Sequence, residues 1–87
     1  MFYTYILQSQ KDDSFYIGYT HDLTQRLNKH NSSKKGYTST KQPWKIVYWE
    51  KFPSKTAAIQ RERFLKAQKN KTFYQRLIDA WSGNPLD

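Results

Sequence analysis

The sequence lacks cysteine altogether and has only seven acidic residues, three glycines and three prolines. Without cysteine the chain can form neither a disulfide nor a thiolate zinc site, which is typical of proteins in a reducing compartment. It also lacks a run of about 18 apolar residues, so no membrane span is expected. Its first residues show neither the basic nor the apolar region of a secretory signal, so we expect a cytoplasmic protein without a membrane partner.

Basic residues dominate the charge, and the formal net charge is +8 over 87 residues. Six basic residues and no acid lie between Asp22 and Glu50, and six more lie from Arg61 to Arg76, where Glu62 is the only acid. Such a surface attracts polyanions, and interleaved tyrosines suit phosphate and base contacts. We therefore predict a nucleic-acid partner; a soluble protein with many surface lysines is the alternative. The lysines predicted to contact nucleic acid are Lys29, Lys34, Lys35 and Lys41.

Three segments have the composition of β-strands. Phe2 to Leu7 and Phe15 to Tyr19 flank a polar turn, so we expect them to pair as a hairpin. Trp44 to Phe52 is predicted to be a third, longer strand. Apolar residues occur on both faces of the first two strands, which indicates a sheet covered on both sides, or nearly so.

Helices are predicted after the second and third strands. Thr20 or Asp22 is the candidate cap of the first helix, which should run to about Asn31 before a polar, lysine-rich loop. The remaining predicted segments are a helix over 54–68, a last helix over 72–81 that Asn70 separates from it, and a frayed tail over 82–87. Together these elements predict a single α+β domain over residues 1–81, sandwich-like, with a three-stranded, mainly antiparallel sheet flanked by helices.

Two polar residues share the apolar stripe of the first predicted helix. Arg26 and His30 stand with Leu23 and Leu27 at the spacing of one helix face, which should be directed at the body of the protein. Arg26 could pair with a carboxylate at the edge of the fold, but a guanidinium also suits two oxygens of a phosphodiester, and we favour that interpretation. His30 is either structural or a group for proton transfer or phosphate contact.

Glu62 is the corresponding anomaly on the second predicted helix. It lies within one turn of Ala58 and Leu65, at the apolar face, whereas Arg61 and Arg63 are expected to point away. Its carboxylate could pair with the arginine of the first helix. It could instead hold a divalent cation, because Mg²⁺ prefers oxygen ligands and commonly keeps most of its waters beside one or two carboxylates.

Tyr5 and Tyr16 lie on the two strands of the predicted hairpin, where their phenols can approach each other across one face. Buried strand aromatics are the alternative for both. Gly18 belongs to the same face and leaves room for a backbone or ligand to come close, so we predict a nucleic-acid contact there. A free phenol ionises near pH ~10, so a basic or nucleophilic role at neutral pH requires a cation nearby.

The pattern resembles the GIY-YIG nuclease domain. The first family motif aligns with Tyr3-Thr4-Tyr5 and the second with Tyr16-Ile17-Gly18. Residues 16–31 are similar to the family's stretch from the second motif to its arginine, and the family's metal-binding glutamate falls on Glu62. The resemblance runs from Phe2 to about Ile78 and is strongest with small stand-alone bacterial members, which carry a strand like residues 43–50.

The resemblance implies hydrolysis of a phosphodiester bond with one divalent ion, Mg²⁺ or Mn²⁺, held mainly by Glu62. It further implies that Tyr5 and Tyr16 assist the attacking water, that the arginine holds the scissile phosphate, and that His30 supports proton transfer or phosphate contact. Such a metal and arginine would stabilise the charge of the transition state. The predicted catalytic residues are Tyr5, Tyr16, Arg26, His30 and Glu62.

The first motif departs from the family in lacking its glycine and isoleucine, and Asn70 is a candidate for the asparagine that many members carry after the glutamate helix. We expect no targeting domain, so substrate choice should depend on the loop 32–45, the last helix or a partner protein. The predicted function is a metal-dependent endonuclease on DNA in preference to RNA, with structure-specific cleavage in repair or recombination as a family analogy. The alternatives are a nucleic-acid-binding or adaptor module with little activity, and a small ribosome-associated protein, which would not explain Glu62.

Overall fold

The fold is built around one sheet of three strands. In the computed structural model, which describes residues 1–81, the strands are β1 (Phe2–Ser9), β2 (Phe15–Thr20) and β3 (Trp44–Phe52). The helices are α1 (Leu23–Ser32), α2 (Lys55–Gln68) and α3 (Lys71–Ala80), and a short 3-10 helix covers Tyr37–Lys41. The strand order is β2–β1–β3 and both pairings are antiparallel.

The predicted α+β fold, an antiparallel three-stranded sheet with helices, is confirmed. The one element that the pattern did not predict is the 3-10 helix, which lies in the segment predicted as a polar loop. The predicted tail, 82–87, lies outside the described residues. Within residues 1–81, no helix is sufficiently long and apolar to cross a bilayer.

Each of the three α-helices begins at a polar cap. Asp22, Ser54 and Asn70 precede the three helices, and their side chains accept backbone N–H groups from the first turn that follows. Of the two candidate caps for α1, Asp22 is therefore the one used. The Thr20 hydroxyl accepts the Asp22 N–H at 3.1 Å, so the turn that joins β2 to α1 is also held locally.

The sheet buries a separate core on each face. Because side chains alternate along a strand, Tyr5 and Leu7 face α1, whereas Ile6 faces α2 and α3. The α1 side packs Trp44 and Leu23 among its buried residues. The buried residues of the other side are Ile6, Ile17, Tyr48, Leu65 and Tyr74. The sheet is thus covered on both sides.

Two side-chain contacts fasten α2 to the sheet. The Thr4 hydroxyl donates to the Ala58 carbonyl at 2.7 Å, and the Arg61 Nε–H donates to Glu50 of β3 at 2.7 Å. The expectation that Arg61 points away from the protein is therefore wrong, because its long side chain reaches back to a half-buried carboxylate on the sheet. These contacts set the position of the helix that carries Glu62.

Candidate active site

A cleft at one edge of the sheet collects four of the five predicted catalytic residues and Gly18. Its lining includes Tyr5, Tyr16, Gly18, Arg26 and Glu62, and its volume is about 420 Å³. The tyrosines come from the face that α1 covers, and Glu62 comes from α2 on the other face. The cleft therefore lies along β2, which is an edge strand because only β1 pairs with it. Its size is within the range of small-ligand sites, about 300–1,000 Å³.

The strand register places the tyrosine pair. Tyr5 lies opposite Gly18, and Tyr16 lies two residues further along the same face of the hairpin. The two rings are stacked, with centroids 6.5 Å apart and an interplanar angle of 29°. The structure thus brings together the two phenols that the hairpin pattern had placed on one face.

Gly18 makes the approach of Tyr5 possible. A Cβ atom at this position would lie 2.6 Å from the Tyr5 hydroxyl oxygen, 2.8 Å from its ring and 3.3 Å from the Tyr16 ring. The space that we predicted for a ligand is therefore taken up largely by Tyr5, although Gly18 also lines the cleft. A side chain of any size at residue 18 would displace the tyrosine pair.

His30 lies behind the tyrosines. Its Nε2 atom is 3.2 Å from the Tyr5 hydroxyl oxygen, and its ring centroid is 4.7 Å from that of Tyr16. The side chain is buried and does not line the cleft. Burial lowers the pKa of His30, and the charges of Arg26 and Lys29 lower it further. A neutral imidazole that contacts both phenols can orient them but does not face the cleft.

The two tyrosines differ in their access to water. Tyr5 is 1% exposed, and its pKa is raised, first by burial and then by the neighbouring Tyr16, against an opposing effect of Arg26. Its phenol therefore keeps its proton at neutral pH. Tyr16 is half-buried and lines the cleft. Both tyrosines line the cleft, but Tyr16 is the more accessible of the two to water there.

Arg26 and Glu62 line the cleft without pairing with each other. Within residues 1–81, no carboxylate lies within 4.0 Å of the Arg26 guanidinium. Glu62 pairs with the exposed Lys66 one turn along α2, at 3.3 Å, and its own side chain is only 15% exposed. The alternative ion pair between Arg26 and Glu62 is therefore not formed. Arg26 has no carboxylate partner among the described residues, and the ion-pair partner of Glu62 there is the exposed Lys66.

Glu62 is the residue in this cleft that could hold a metal ion through a carboxylate. The described part of the chain contains no group of three or more His, Cys, Asp or Glu side chains that could surround a cation. An ion bound here would therefore keep most of its coordination as water. This donor set fits Mg²⁺ or Mn²⁺, which accept such partial coordination, and does not fit a structural zinc site.

The sequence did not identify two further polar residues of the cleft as candidate site residues. His21 lies in the turn between β2 and α1, and Lys55 opens α2. Lys55 precedes Glu62 by seven residues, which is two helical turns, so both residues lie on the same face of α2. The helical period could therefore have identified Lys55 as a cleft residue. Asn70, in contrast, caps α3 and does not line the cleft, so it does not take part in this site.

The predicted nucleic-acid-binding lysines lie outside the cleft lining. Lys29, Lys34 and Lys35 are exposed on α1 and in the loop that follows. Lys41 is half-buried and its ammonium group pairs with Asp12 of the hairpin turn. Its Nζ atom also lies 5.4 Å from the centre of the Tyr37 ring. Lys41 thus fastens the 3-10 helix to the hairpin.

Comparison with known proteins shows which family and which fold this chain resembles. Residues 1–76 match the family model described as the GIY-YIG catalytic domain. A UPF0213 protein of Streptococcus pneumoniae is 44% identical over 68 residues, covering 77% of this chain and 68% of the relative. A UPF0213 protein of Staphylococcus haemolyticus is 40% identical over 79 residues, covering 85% and 95% of the two chains. The solution NMR structure of a UPF0213 protein from Bacillus halodurans has a TM-score of 0.58 at 34% identity, covering 95% of this chain and 88% of that one.

Proposed function

Because the chain belongs to the GIY-YIG catalytic domain family, a family of nucleases, we propose that it is an endonuclease that hydrolyses DNA with the help of one divalent metal ion. The observation that carries this proposal is the common cleft of Tyr16, Arg26 and Glu62 in a chain of net charge +8. Binding of nucleic acid alone would gain nothing from a carboxylate held inside a basic cleft, since the carboxylate repels phosphate.

Arg26 is proposed to hold the scissile phosphate. Its guanidinium is half-buried in the cleft and has no carboxylate partner among the described residues. A planar guanidinium can donate to two phosphate oxygens at once, and it stays charged at any physiological pH. The negative charge that grows on these oxygens in the transition state would therefore be stabilised by a group already in place.

Glu62 is proposed to anchor the metal ion. When bound, Mg²⁺ or Mn²⁺ supplies Lewis-acid stabilisation and lowers the pKa of a coordinated water. The part that the chain itself plays is to present one carboxylate at a defined place. The contact between Thr4 and Ala58 holds α2 against β1, one turn before Glu62.

Tyr16 is proposed to orient the attacking water and to take part in removing its proton. Its side chain lines the cleft and is more exposed than that of Tyr5, whose phenol keeps its proton and contacts His30. Tyr5 and His30 would then act by positioning Tyr16, because both pack against its ring. We further propose that the protein acts in the cytoplasm, in repair or recombination, with a partner protein assisting its targeting.

A cleavage assay tests this function. Labelled single-stranded, duplex, flap, fork and four-way-junction DNA, with matching RNA, would be incubated with Mg²⁺, Mn²⁺ or EDTA. We expect metal-dependent cleavage of DNA, a loss of at least about 100-fold in Glu62→Gln, and a comparable loss in Arg26→Ala. Lys66→Ala is the matched control, because it removes the ion-pair partner of Glu62 but leaves the carboxylate.

Binding of nucleic acid without cleavage under every condition would refute the nuclease proposal. That result would favour the adaptor module of the same fold. Cleavage at the wild-type rate in Glu62→Gln would refute the assignment of the metal ligand while leaving the nuclease itself in place. Because an i,i+4 ion pair on a helix contributes only about 0.3–0.5 kcal/mol, neither Glu62→Gln nor Lys66→Ala should lose its fold.

A further inference from the structure

We propose that a second nucleic-acid-binding groove lies at the Phe15 end of β2 and takes a single-stranded segment of the substrate. Since the groove would hold a continuation of the same substrate, this rests on the proposed nuclease function. The groove, called here the hairpin groove, is lined by Phe15, Tyr37, Lys69, Lys71 and Tyr74 among others and has a volume of about 330 Å³. It shares no lining residue with the cleft.

Tyr37 supplies an exposed aromatic face in the hairpin groove. The residue is 58% exposed. It is nevertheless held in place, because the Thr40 hydroxyl donates to its carbonyl at 2.7 Å and the Lys41 ammonium lies over its ring. Lys41 is in turn paired with Asp12. An exposed ring that is fixed by its neighbours is a platform on which any base can stack, since every base has a π-face.

Lys69 occupies a backbone conformation that disfavours a lysine. It follows α2 in the left-handed region, with φ of 46° and ψ of 42°. Glycine is the residue that normally ends a helix in this conformation, because it has no Cβ to strain. A strained residue held by its surroundings motivates a hypothesis of function. Here the Lys69 N–H donates to the Tyr74 hydroxyl at 3.2 Å, and that hydroxyl donates to the Leu65 carbonyl at 2.6 Å.

Lys71 provides a second cation beside the first. Both Lys69 and Lys71 are exposed, and neither forms an ion pair within 4.0 Å among residues 1–81. The charge of this groove therefore complements a polyanion. An acidic peptide would satisfy the two ammonium groups but would leave the Tyr37 face without a stacking partner. A nucleic-acid strand uses both, with phosphates on the lysines and a base on the ring.

The hairpin groove and the cleft are joined by one strand of the sheet. Phe15 lies in the groove and Thr20 lies in the cleft, at the two ends of β2. Five residue steps along a strand cover roughly 17 Å. Helically stacked nucleotides rise about 3.4 Å each, so this distance corresponds to about five nucleotides. Because Tyr16, the next residue after Phe15, already lines the cleft, this is the greatest separation of the two sites along β2, and a strand of about five nucleotides is long enough to reach both.

Fluorescence anisotropy in EDTA, with oligothymidylates of 4 and 20 nucleotides, tests the groove without cleavage. We expect the wild-type protein to prefer the longer strand. Tyr37→Ala should weaken binding of the 20-mer by about fivefold or more, whereas Tyr37→Phe should bind it as the wild type does. Lys69→Gly should lower the slope of log Kd against log salt by about 0.7, the value for one lost phosphate contact on a single strand.

Lys69→Gly also distinguishes a loss of binding from a loss of folding. Because glycine relieves the left-handed strain, its Tm should equal or exceed that of the wild type although its affinity falls. Lys51→Ala is the charge-matched control, since Lys51 is an exposed lysine on the opposite edge strand. An equal loss of affinity in Lys51→Ala would overturn the groove in favour of a diffuse charge effect. Binding of polyglutamate with the same dependence on Tyr37 would overturn it in favour of an acidic peptide.

The outcomes for the groove and for the nuclease can be told apart. Wild-type binding by Tyr37→Ala, together with cleavage that depends on Glu62, would overturn the groove alone. Tyr37-dependent binding of the 20-mer without any cleavage that depends on Glu62 would support the groove and overturn the nuclease function. Tyr37-dependent binding together with Glu62-dependent cleavage would support both.

Discussion

The Tyr5 hydroxyl oxygen lies where a side chain on Gly18 would begin, since a Cβ atom at residue 18 would be only 2.6 Å from it. The two residues face each other across the β1–β2 pairing. Tyr5 is buried against His30 and Tyr16 and has little freedom to move aside. The absence of a side chain at one position of the second motif is therefore what admits the tyrosine of the first.

Gly18→Ala should distort this pair. We expect the free energy of unfolding, measured in urea, to fall by about 1–3 kcal/mol, as is usual when a methyl group is forced into a packed site. Cleavage should fall as well, because both tyrosines must shift. The double variant Gly18→Ala/Tyr5→Phe should recover part of the stability, since it removes the closest contact but leaves the ring carbon 2.8 Å away. A single variant as stable as the wild type would contradict this account of the glycine.

The two tyrosines should respond differently to removal of their hydroxyl groups. Tyr16→Phe should lower kcat for cleavage by about 100-fold or more, the usual contribution of a group that transfers a proton, with little change in binding. Tyr5→Phe should lower it less, because that hydroxyl is buried and contacts His30. It should instead cost about 1 kcal/mol of stability through the lost hydrogen bond. Equal losses of kcat in the two variants would show that the difference in burial does not decide their roles.

His30 should make stability depend on pH. Burial and two nearby cations lower its pKa in the folded protein. The unfolded chain, where a histidine titrates near pH ~6.5, therefore takes up the proton first as the pH falls. The free energy of unfolding should be highest above this pH and should decrease below it, by at most about 1.4 kcal/mol per pH unit, until the folded pKa is reached.

Urea unfolding between about pH 5 and 8 measures this dependence. His30→Gln should remove the part of the pH dependence that comes from this residue, and the exposed His21 provides a matched control in His21→Gln. Because the charge of Arg26 lowers the pKa of His30, Arg26→Ala should raise that pKa in an NMR titration. An identical pH profile in His30→Gln and the wild type would mean that the histidine is not held neutral by the fold.

Replacement of Thr4 should lower both the stability and the activity of the protein, although Thr4 does not line the cleft. Its side chain is completely buried, and its hydroxyl donates to the Ala58 carbonyl of α2. Thr4→Val keeps the shape but removes this bond, so we expect a loss of about 1 kcal/mol in unfolding free energy. Cleavage should also decrease, since the same helix carries Glu62. Thr4→Ser, which keeps the hydroxyl, should retain cleavage, and a Thr4→Val protein of full activity would show that α2 is positioned by its apolar contacts alone.

The unusual middle residue of the first motif illustrates how far sequence reasoning reached. Thr4 stands where the family has isoleucine, and because side chains alternate along a strand it lies on the face opposite Tyr5. That its hydroxyl would meet the Ala58 carbonyl could not be foreseen, because the two residues are 54 positions apart. Contacts between residues so far apart in the sequence depend on how a helix packs on the sheet, and this packing produces no periodic pattern in the sequence.

The loop before β3 contains a second long-range contact that the sequence pattern did not predict. Its residues have no apolar period, so the pattern predicted an irregular loop, and Lys41 was interpreted as one of several nucleic-acid contacts. In the structure, Lys41 reaches back 29 residues to Asp12 and places Tyr37 at the surface. Local composition identified the charge and the aromatic ring here, but not the ion pair that arranges them.

The sequence by itself determined the strands, the capped helices and the placement of Tyr5, Tyr16 and Gly18 on one face, because these follow from periods of two and 3.6 residues and from local capping. Only the tertiary structure decided that Glu62, from the helix on the opposite face of the sheet, lines the same cleft as Arg26 at the free edge of β2. The packing of Leu65 in the core and the hydrogen bond from Thr4 to the Ala58 carbonyl set that position. Burial of apolar surface is not directional, so only the complete set of core contacts selects how α2 lies on the sheet.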